Sequence, residues 1–236
     1  MTELVERWQL ELGEPYPPGA AGHAFRATLP DGTPAVLKIS TPHREAEQEA
    51  DALERWNGDG AVRLLARDDE RHALLLERCE PGSFLSESPD ALDVLIGLLP
   101  RLWKNADGFH TLTDEVAHWA LEGDVGSLAG DLAATQGELV LVHQDLHGEN
   151  VLAAEREPWL VIDPKPLAAE REFAVAPIAR SSELGHSKRD VLYRLDRLCG
   201  ELGLDHERAR GWTIVQTVAW GGERAEDRSE VVEWLS

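Results

Sequence analysis

The sequence predicts an α+β protein of two lobes: a small N-terminal antiparallel sheet with one helix, then a larger, mainly helical lobe that carries a β-hairpin. Three observations predict this class. Short apolar runs separated by turn residues fill the first third of the chain, segments with helical spacing of apolar residues follow Pro81-Gly82, and one pair of short strands interrupts them. Strands first and helices last is a two-lobe layout, so we predict lobes at residues 1–80 and 81–236.

The elements of the first lobe follow from local patterns. Pro30-Asp31-Gly32-Thr33 is a hairpin turn between two apolar runs, and Asp68-Asp69-Glu70 is a polar turn between two more. The helix has Ala46, Ala50, Leu53 and Trp56 on one face and ends at Asn57-Gly58. The predicted strands are residues 24–29, 35–39, 62–67 and 73–77, and the predicted helix is residues 43–56.

The second lobe is predicted to be helical except for three strands. Residues 139–142 form a short apolar run, and residues 151–154 and 159–162 flank the turn Glu155-Arg156-Glu157-Pro158 as a hairpin. The predicted helices are residues 90–105 (bent or interrupted at Pro100), two weaker segments between 114 and 134, and residues 191–202, 208–219 and 226–235.

Composition limits the possible partners. The formal net charge is -21, which repels nucleic acid and anionic membranes and attracts cationic small molecules, although a solubilising surface is the more ordinary explanation of such a charge. No apolar run approaches the roughly 20 residues that cross a bilayer, and no secretion-signal pattern is present, so we expect no membrane partner. Cys79 and Cys199 lie in unrelated contexts, which is typical of a protein of the reducing cytoplasm.

One segment carries the chemistry. Asn150 precedes the first strand of the predicted hairpin and Asp163 follows the second, so antiparallel pairing brings the two side chains together. An amide oxygen and a carboxylate are oxygen ligands of the kind that magnesium takes. Asp145 lies five residues before Asn150 on the same loop, where it could accept a proton from an attacking hydroxyl group.

These residues resemble a known family. His143-x-Asp145 with Asn150, followed by Asp163 after a hairpin, resembles the catalytic loop and metal aspartate of kinases. Residues 143–152 and 158–166 look like the aminoglycoside phosphotransferase superfamily, and Asp-Pro-Lys-Pro points to its streptomycin 6-phosphotransferase and hydroxyurea phosphotransferase branch. The resemblance implies a protein-kinase-like fold, Asp145 as base, Asn150 and Asp163 as metal ligands, and phosphoryl transfer from ATP with Mg²⁺ to a hydroxyl of a small molecule, with an aminoglycoside such as streptomycin as the first candidate.

A kinase of this kind also needs nucleotide-binding residues in the first lobe. Lys38 lies on an apolar strand, where an unpaired ammonium is costly, and the following helix offers glutamates as partners. Glu49 lies on the apolar face of that helix and is the predicted partner, with Glu45 as the alternative. Residues 74–79, with Glu77 and Cys79, resemble the strand and hinge whose backbone meets adenine.

Two departures from the family pattern leave an alternative open. The family has glycine where this chain has Gln144, and an aspartate where this chain has Ala174. A catalytically degenerate kinase-like protein that binds a cationic small molecule without turnover is therefore the second hypothesis. His143, Asp145 and His147 could also form a metallohydrolase cluster, but no second histidine-rich motif completes such a site. We interpret His143 as a packing residue of the loop.

Overall fold

A computed structural model describes residues 1–17, 22–220 and 225–236 of the chain. Its N-terminal part is a five-stranded antiparallel sheet with strand order β1-β2-β3-β5-β4. The strands are β1 (Glu11–Pro15), β2 (Gly22–Thr28), β3 (Pro34–Ser40), β4 (Leu64–Asp68) and β5 (Ala73–Glu77).

Side chains of β3 alternate between the two faces of the sheet, as a half-buried strand requires. Leu37 is fully buried in a small core on one face, together with Leu4 and Leu75. Its neighbour Lys38 therefore points to the opposite face, where it meets helix α2 (Glu49–Trp56) and the second lobe. The alternation of side chains along β3 thus positions the lysine.

The sequence analysis missed two elements of this part. Helix α1 (Thr2–Arg7) buries Leu4 and covers the small core. Strand β1 is an edge strand in which no residue is fully buried, and Gly13 and a terminal proline weaken its pattern. Neither element therefore has the apolar periodicity by which the others were predicted.

The helices surround the strands of the second lobe. They are α3 (Ala91–Leu102), α4 (Leu112–Trp119), α5 (Gly123–Ala134), α6 (Arg171–Ala174), α7 (Ala176–Ala179), α8 (Lys188–Leu202), α9 (His206–Trp220) and α10 (Ala225–Leu235). Helix α9 is central, since it packs against α5, α6, α7, α8 and α10 and Trp212 on it is fully buried. No helix in the described ranges combines the length and the apolar character that a membrane crossing requires.

Four short strands carry the loops of the candidate site. They are β6 (Val140–His143), β7 (Val151–Ala153), β8 (Trp159–Val161) and β9 (Pro166–Ala169). β6 pairs with β9 and β7 pairs with β8, both antiparallel. The loop from β6 to β7, residues 144–150, therefore lies beside the loop from β8 to β9, residues 162–165, and Gln144 N–H donates to the Lys165 carbonyl at 3.0 Å. β9 was not predicted, because it begins with a proline.

The α+β class, with its N-terminal sheet and helical second part, is confirmed. The predicted helix 43–56 is shorter than expected: residues 44–46 form a 3₁₀ turn and α2 begins at Glu49. The Gln48 side chain, just before α2, bonds to the backbone of Gly108 and His110, a non-local contact that no sequence pattern indicates.

The two parts also contact each other directly. Trp56 Nε1 of α2 donates to the Leu102 carbonyl at 2.8 Å, and the Val62 N–H donates to the Val161 carbonyl at 3.0 Å. One large hydrophobic core includes residues of α2 and of the helical part. The division into residues 1–80 and 81–236 remains a prediction.

Candidate active site

A three-residue ionic cluster joins the sheet to the helical lobe. Lys38 Nζ lies 2.6 and 2.7 Å from the two carboxylate oxygens of Glu49 and also contacts the carboxylate of Asp163. Glu49 is buried at the start of α2, so it is the helix glutamate that pairs with Lys38, as predicted in preference to Glu45. Strand β3, helix α2 and the loop after β8 thus bring their charged side chains to one point.

Lys38 and Asp163 support each other's charge, whereas burial, helped by the nearby charge of Asp163, raises the pKa of the Glu49 carboxyl in spite of Lys38. Burial acts to lower the pKa of Lys38, but the carboxylates of Glu49 and Asp163 outweigh it and raise that pKa, so the ammonium is charged. Burial acts to raise the pKa of Asp163, and Lys38 outweighs it, so that carboxyl is held below its usual range. Asp163 has a left-handed backbone, φ 50°, a conformation that aspartate tolerates better than most residues.

Asn150 and Asp163 are at the same end of the β7–β8 hairpin. β7 pairs Val151 with Val161, and the Ile162 N–H donates to the Asn150 carbonyl at 2.9 Å. The Asn150 amide nitrogen donates to the Asp145 carbonyl at 2.8 Å, which leaves Oδ1 of the amide for another partner. An amide oxygen beside a carboxylate that is 47% exposed is a donor set that fits a magnesium ion.

His143 holds the loop and takes no place in the site. It is buried, its Nδ1 accepts from the Asp145 N–H at 3.1 Å, and its Nε2 lies 3.4 Å from the Ile162 carbonyl. Burial lowers the pKa of the ring to about 4, so the imidazole is neutral. With Nδ1 engaged by the backbone, His143 is unsuited to a metallohydrolase cluster, and its geometry fits the packing interpretation.

The predicted hinge residues use their side chains elsewhere. Glu77 forms a bidentate ion pair with Arg156, whose Nε and Nη2 lie 2.7 and 2.9 Å from the two carboxylate oxygens. The same carboxylate accepts a hydrogen bond from the Arg63 N–H. Burial acts to raise the pKa of Glu77, but the hydrogen bonds from Arg156 and from the Arg63 N–H, together with the charges of both arginines, outweigh it and lower that pKa. Cys79 is buried, and burial raises the pKa of its thiol to about 12. Nucleotide binding by residues 77–79 therefore remains a prediction that concerns their backbone.

Glu183 braces the loop of residues 144–150 from the segment before α8. It accepts from the Gly148 N–H, and its Oε2 lies 3.2 Å from His147 Nδ1. Burial acts against charge on both side chains, but their mutual hydrogen bond and charge attraction, together with smaller contributions from Asp145 to His147 and from the Gly148 N–H to Glu183, outweigh it: the pKa of His147 is raised and that of Glu183 is lowered. A Cβ on Gly148 would lie 2.7 Å from Glu183 and 2.8 Å from the Ser86 nitrogen, so only glycine permits this approach.

A second brace comes from α9. Gln216 is fully buried; its Nε2 donates to the Gln144 carbonyl at 2.7 Å and its Oε1 accepts from Arg180 Nε at 3.0 Å. Ala174, where the family has an aspartate, is buried in the apolar core. The loop is therefore held by Glu183 and Gln216, which lie beyond the segment that the family motif covers.

Sequence reasoning also missed the neighbours of Asp145. Lys165 Nζ donates to Asp145 Oδ2 at 2.6 Å and lies 4.9 Å from the centre of the Trp220 ring. Arg180 lies 5.9 Å from the same ring. The Asp-Pro-Lys-Pro motif contains Lys165 and could have indicated it, whereas Arg180 and Trp220 had no signal.

Comparison with known proteins agrees with the fold and with the motif. The family described as "Aminoglycoside/hydroxyurea antibiotic resistance kinase" matches residues 7–228. The chain is 39% identical to the hydroxyurea phosphotransferase of Kitasatospora aureofaciens, over 96% of this chain and 73% of that protein. It is 36% identical to the streptomycin 6-kinase of Streptomyces griseus, over 93% of this chain and 81% of that protein.

Solved structures show the same fold at lower sequence similarity. A choline kinase from Streptococcus pneumoniae superimposes with a TM-score of 0.72 at 16% identity, over 99% of this chain and 96% of that one. This likeness concerns the fold alone. The family match and the curated relatives, in contrast, cover nearly the whole chain. The chain belongs to the aminoglycoside/hydroxyurea phosphotransferase family, whose members are kinases that phosphorylate small molecules.

Proposed function

We propose that this chain transfers the γ-phosphoryl group of ATP to a hydroxyl group of an aminoglycoside such as streptomycin, in a magnesium-dependent reaction that modifies the antibiotic. The observation that carries the proposal is the convergence of Lys38 and Asp163 beside the loop of Asp145. A phosphoryl-transfer site needs this combination of an ammonium, metal-binding oxygens and a base.

Each residue has a separate role in the proposed reaction. Lys38, fixed by Glu49, binds the phosphates of ATP, and the backbone of residues 77–79 binds the adenine edge. Asn150 and Asp163 hold magnesium, which when bound neutralises part of the charge on the phosphates. Asp145 orients the acceptor hydroxyl and accepts its proton as the oxygen attacks phosphorus.

Two observations support the choice of acceptor. The curated relatives are named for streptomycin and for hydroxyurea, so both compounds belong in the first test. A net charge of -21 attracts a polycation over long range, which favours streptomycin over the neutral hydroxyurea. Use of ATP, with two buried cysteines that form no disulfide, fits a cytoplasmic enzyme.

The test is an ADP-release assay with ATP and Mg²⁺ against streptomycin, hydroxyurea and other amino-alcohols. Asp145→Ala should reduce turnover by about 10²–10⁴-fold and leave the thermal shift caused by ATP and Mg²⁺ nearly unchanged. Asp163→Ala should remove the magnesium-dependent part of that shift. Asp131→Ala, on an exposed face of α5, is the matched control and should behave as the parent.

Two results would contradict the proposal. An Asp145→Ala protein that turns over at the parental rate excludes Asp145 as the base. A parent protein that shows a ligand-induced thermal shift with streptomycin, but no turnover with any compound of the panel, would support the binding protein without catalysis instead.

A further inference from the structure

Lys165 places a second ammonium group directly on the proposed catalytic base. Its Nζ lies 2.6 Å from Asp145 Oδ2, and the two side chains are 24% and 16% exposed. The lysine lies between Pro164 and Pro166, whose rings restrict the backbone, and its carbonyl accepts from the Gln144 N–H. The backbone of Lys165 is thus tied to the catalytic loop, and the side chain is aimed at the reacting carboxylate.

The surroundings of the ammonium leave it able to bind a further anion. An ammonium has three N–H donors, and Asp145 is the one carboxylate that accepts from Lys165 Nζ among the described residues. The ring of Trp220 lies 4.9 Å from the ammonium and attracts it through its face. Unlike a carboxylate, the ring accepts no conventional hydrogen bond from the N–H groups. Donors therefore remain for a ligand that binds beside Asp145.

The position of Asp145 determines where the phosphoryl group must lie. A hydroxyl that gives its proton to Asp145 lies within about 3 Å of the carboxylate, and its oxygen lies about 3–3.5 Å from the phosphorus that it attacks. These distances allow the oxygens of that phosphoryl group to come within hydrogen-bond reach of Lys165 Nζ when the acceptor binds on the same side of the Asp145 carboxylate. Lys38 approaches the phosphates from the other lobe, beside Asp163.

We propose that Lys165 is a further catalytic residue, whose ammonium donates a hydrogen bond to the transferring phosphoryl group while it remains beside Asp145. This inference rests on the proposed function. In the step, the bond from the acceptor oxygen to the γ-phosphorus forms as the bond from that phosphorus to the β–γ bridging oxygen breaks. The electron pair of the broken bond leaves with ADP, the acceptor proton passes to Asp145, and Lys165 keeps its protons.

Lys165 could instead serve only to orient Asp145, and a double mutant separates the two roles. If Lys165 acts only through the carboxylate, Lys165→Met has no effect on the residual rate of an Asp145→Asn protein. If Lys165 binds the phosphoryl group, the substitution lowers the rate in both backgrounds. A second measurement needs no turnover: the gain in affinity for ADP and Mg²⁺ when aluminium fluoride, a mimic of the transferring phosphoryl group, is added.

We expect Lys165→Met to lower kcat by about 10²–10³-fold, with the KM for ATP changed by less than about threefold. The gain in ADP affinity that aluminium fluoride causes should fall by a similar factor in Lys165→Met. The affinity of this variant for ADP and Mg²⁺ alone should equal that of the parent. Lys188→Met, at an exposed position at the start of α8, is the matched control and should change neither quantity.

Either of two results overturns the inference. The first is a kcat of Lys165→Met within threefold of the parent; the second is an unchanged gain from aluminium fluoride together with no effect in the Asp145→Asn background. Failure of the proposed function gives a different result, namely a parent protein that turns over no acceptor. The role of Lys165 can still be tested in that case, because the aluminium fluoride measurement needs no turnover.

Discussion

The ammonium of Lys38 lies 2.6 Å from the carboxylate of Glu49, and both groups are largely buried between the sheet and α2. The same ammonium contacts Asp163 of the helical lobe. Because one cation serves two carboxylates, the pair fixes the position of Asp163 as well as that of Lys38. The position of a proposed magnesium ligand therefore depends on a glutamate of the other lobe.

Substitution of Glu49 by Gln should weaken both nucleotide binding and stability. The change keeps the size of the side chain but removes the charge that holds Lys38 in place, so the KM for ATP should rise by about tenfold. The free energy of unfolding should fall by about 1–3 kcal/mol, the usual cost of a lost hydrogen-bond partner in a buried site. Steady-state kinetics and urea unfolding measure the two effects.

Glu45→Gln is the matched control, since Glu45 was the other sequence candidate for this role and is partly exposed. It should leave the KM for ATP within about twofold of the parent. A larger effect of Glu45→Gln than of Glu49→Gln would contradict the assignment of the Lys38 partner.

The sequence predicts this cluster because each member has a local signal. Lys38 interrupts an apolar strand, Glu49 lies on the apolar face of a helix, and Asp163 ends a hairpin. The braces of the loop have no such signal. Glu183 contacts Gly148 across 35 residues. Gln216 lies on α9 and bonds to the backbone of Gln144, 72 residues away, a contact that no local pattern indicates.

The same reasoning explains which elements were missed. β1 is an edge strand and α1 covers the small core with Leu4 alone fully buried, so the apolar pattern of both elements is weak. β9 is fully buried, but it begins with Pro166 and pairs with β6 over a long sequence separation. Local periodicity predicts elements that bury one face, whereas edge strands and short buried strands depend on partners that are distant in the sequence.

His143 should make the stability of the fold depend on pH. In the unfolded chain its imidazole binds a proton below about pH 6.5, while in the folded protein burial lowers the pKa to about 4. Between these values the unfolded state binds more protons, so stability falls as the pH falls. The full difference corresponds to about 3 kcal/mol, of which about 2 kcal/mol is lost between pH 7 and pH 5.

His143→Gln should remove this part of the pH dependence, because an amide can bond to the same backbone groups without taking up a proton. Urea unfolding of the parent and the variant at pH 7 and pH 5 measures it. His118→Gln, at an exposed position of α4, is the control and should keep the parental slope. Equal slopes for the parent and His143→Gln would show that His143 does not stay neutral in the fold.

Glu183 should affect the rate of the reaction more than the binding of nucleotide. It touches the loop at Gly148 and His147, next to the residues that we propose for catalysis, and does not contact Lys38 or Asp163. Glu183→Ala removes both contacts, and a displacement of about 1 Å at a reacting group can cost about 10²-fold in rate. We therefore expect kcat to fall by about 10–100-fold, with the KM for ATP within about threefold.

Glu183→Gln tests whether geometry or charge is responsible. Its amide oxygen can still accept from the Gly148 N–H, so a brace that works by position should recover most of kcat, to within several-fold of the parent. Glu87→Ala, at an exposed position near the same loop, controls for the loss of a carboxylate. If Glu183→Gln is as slow as Glu183→Ala, the charge paired with His147 matters more than the hydrogen bond to the loop. If Glu183→Ala keeps the parental kcat, Glu183 does not brace the loop of Asp145, and the contact of Gln216 with the Gln144 carbonyl is the brace that remains.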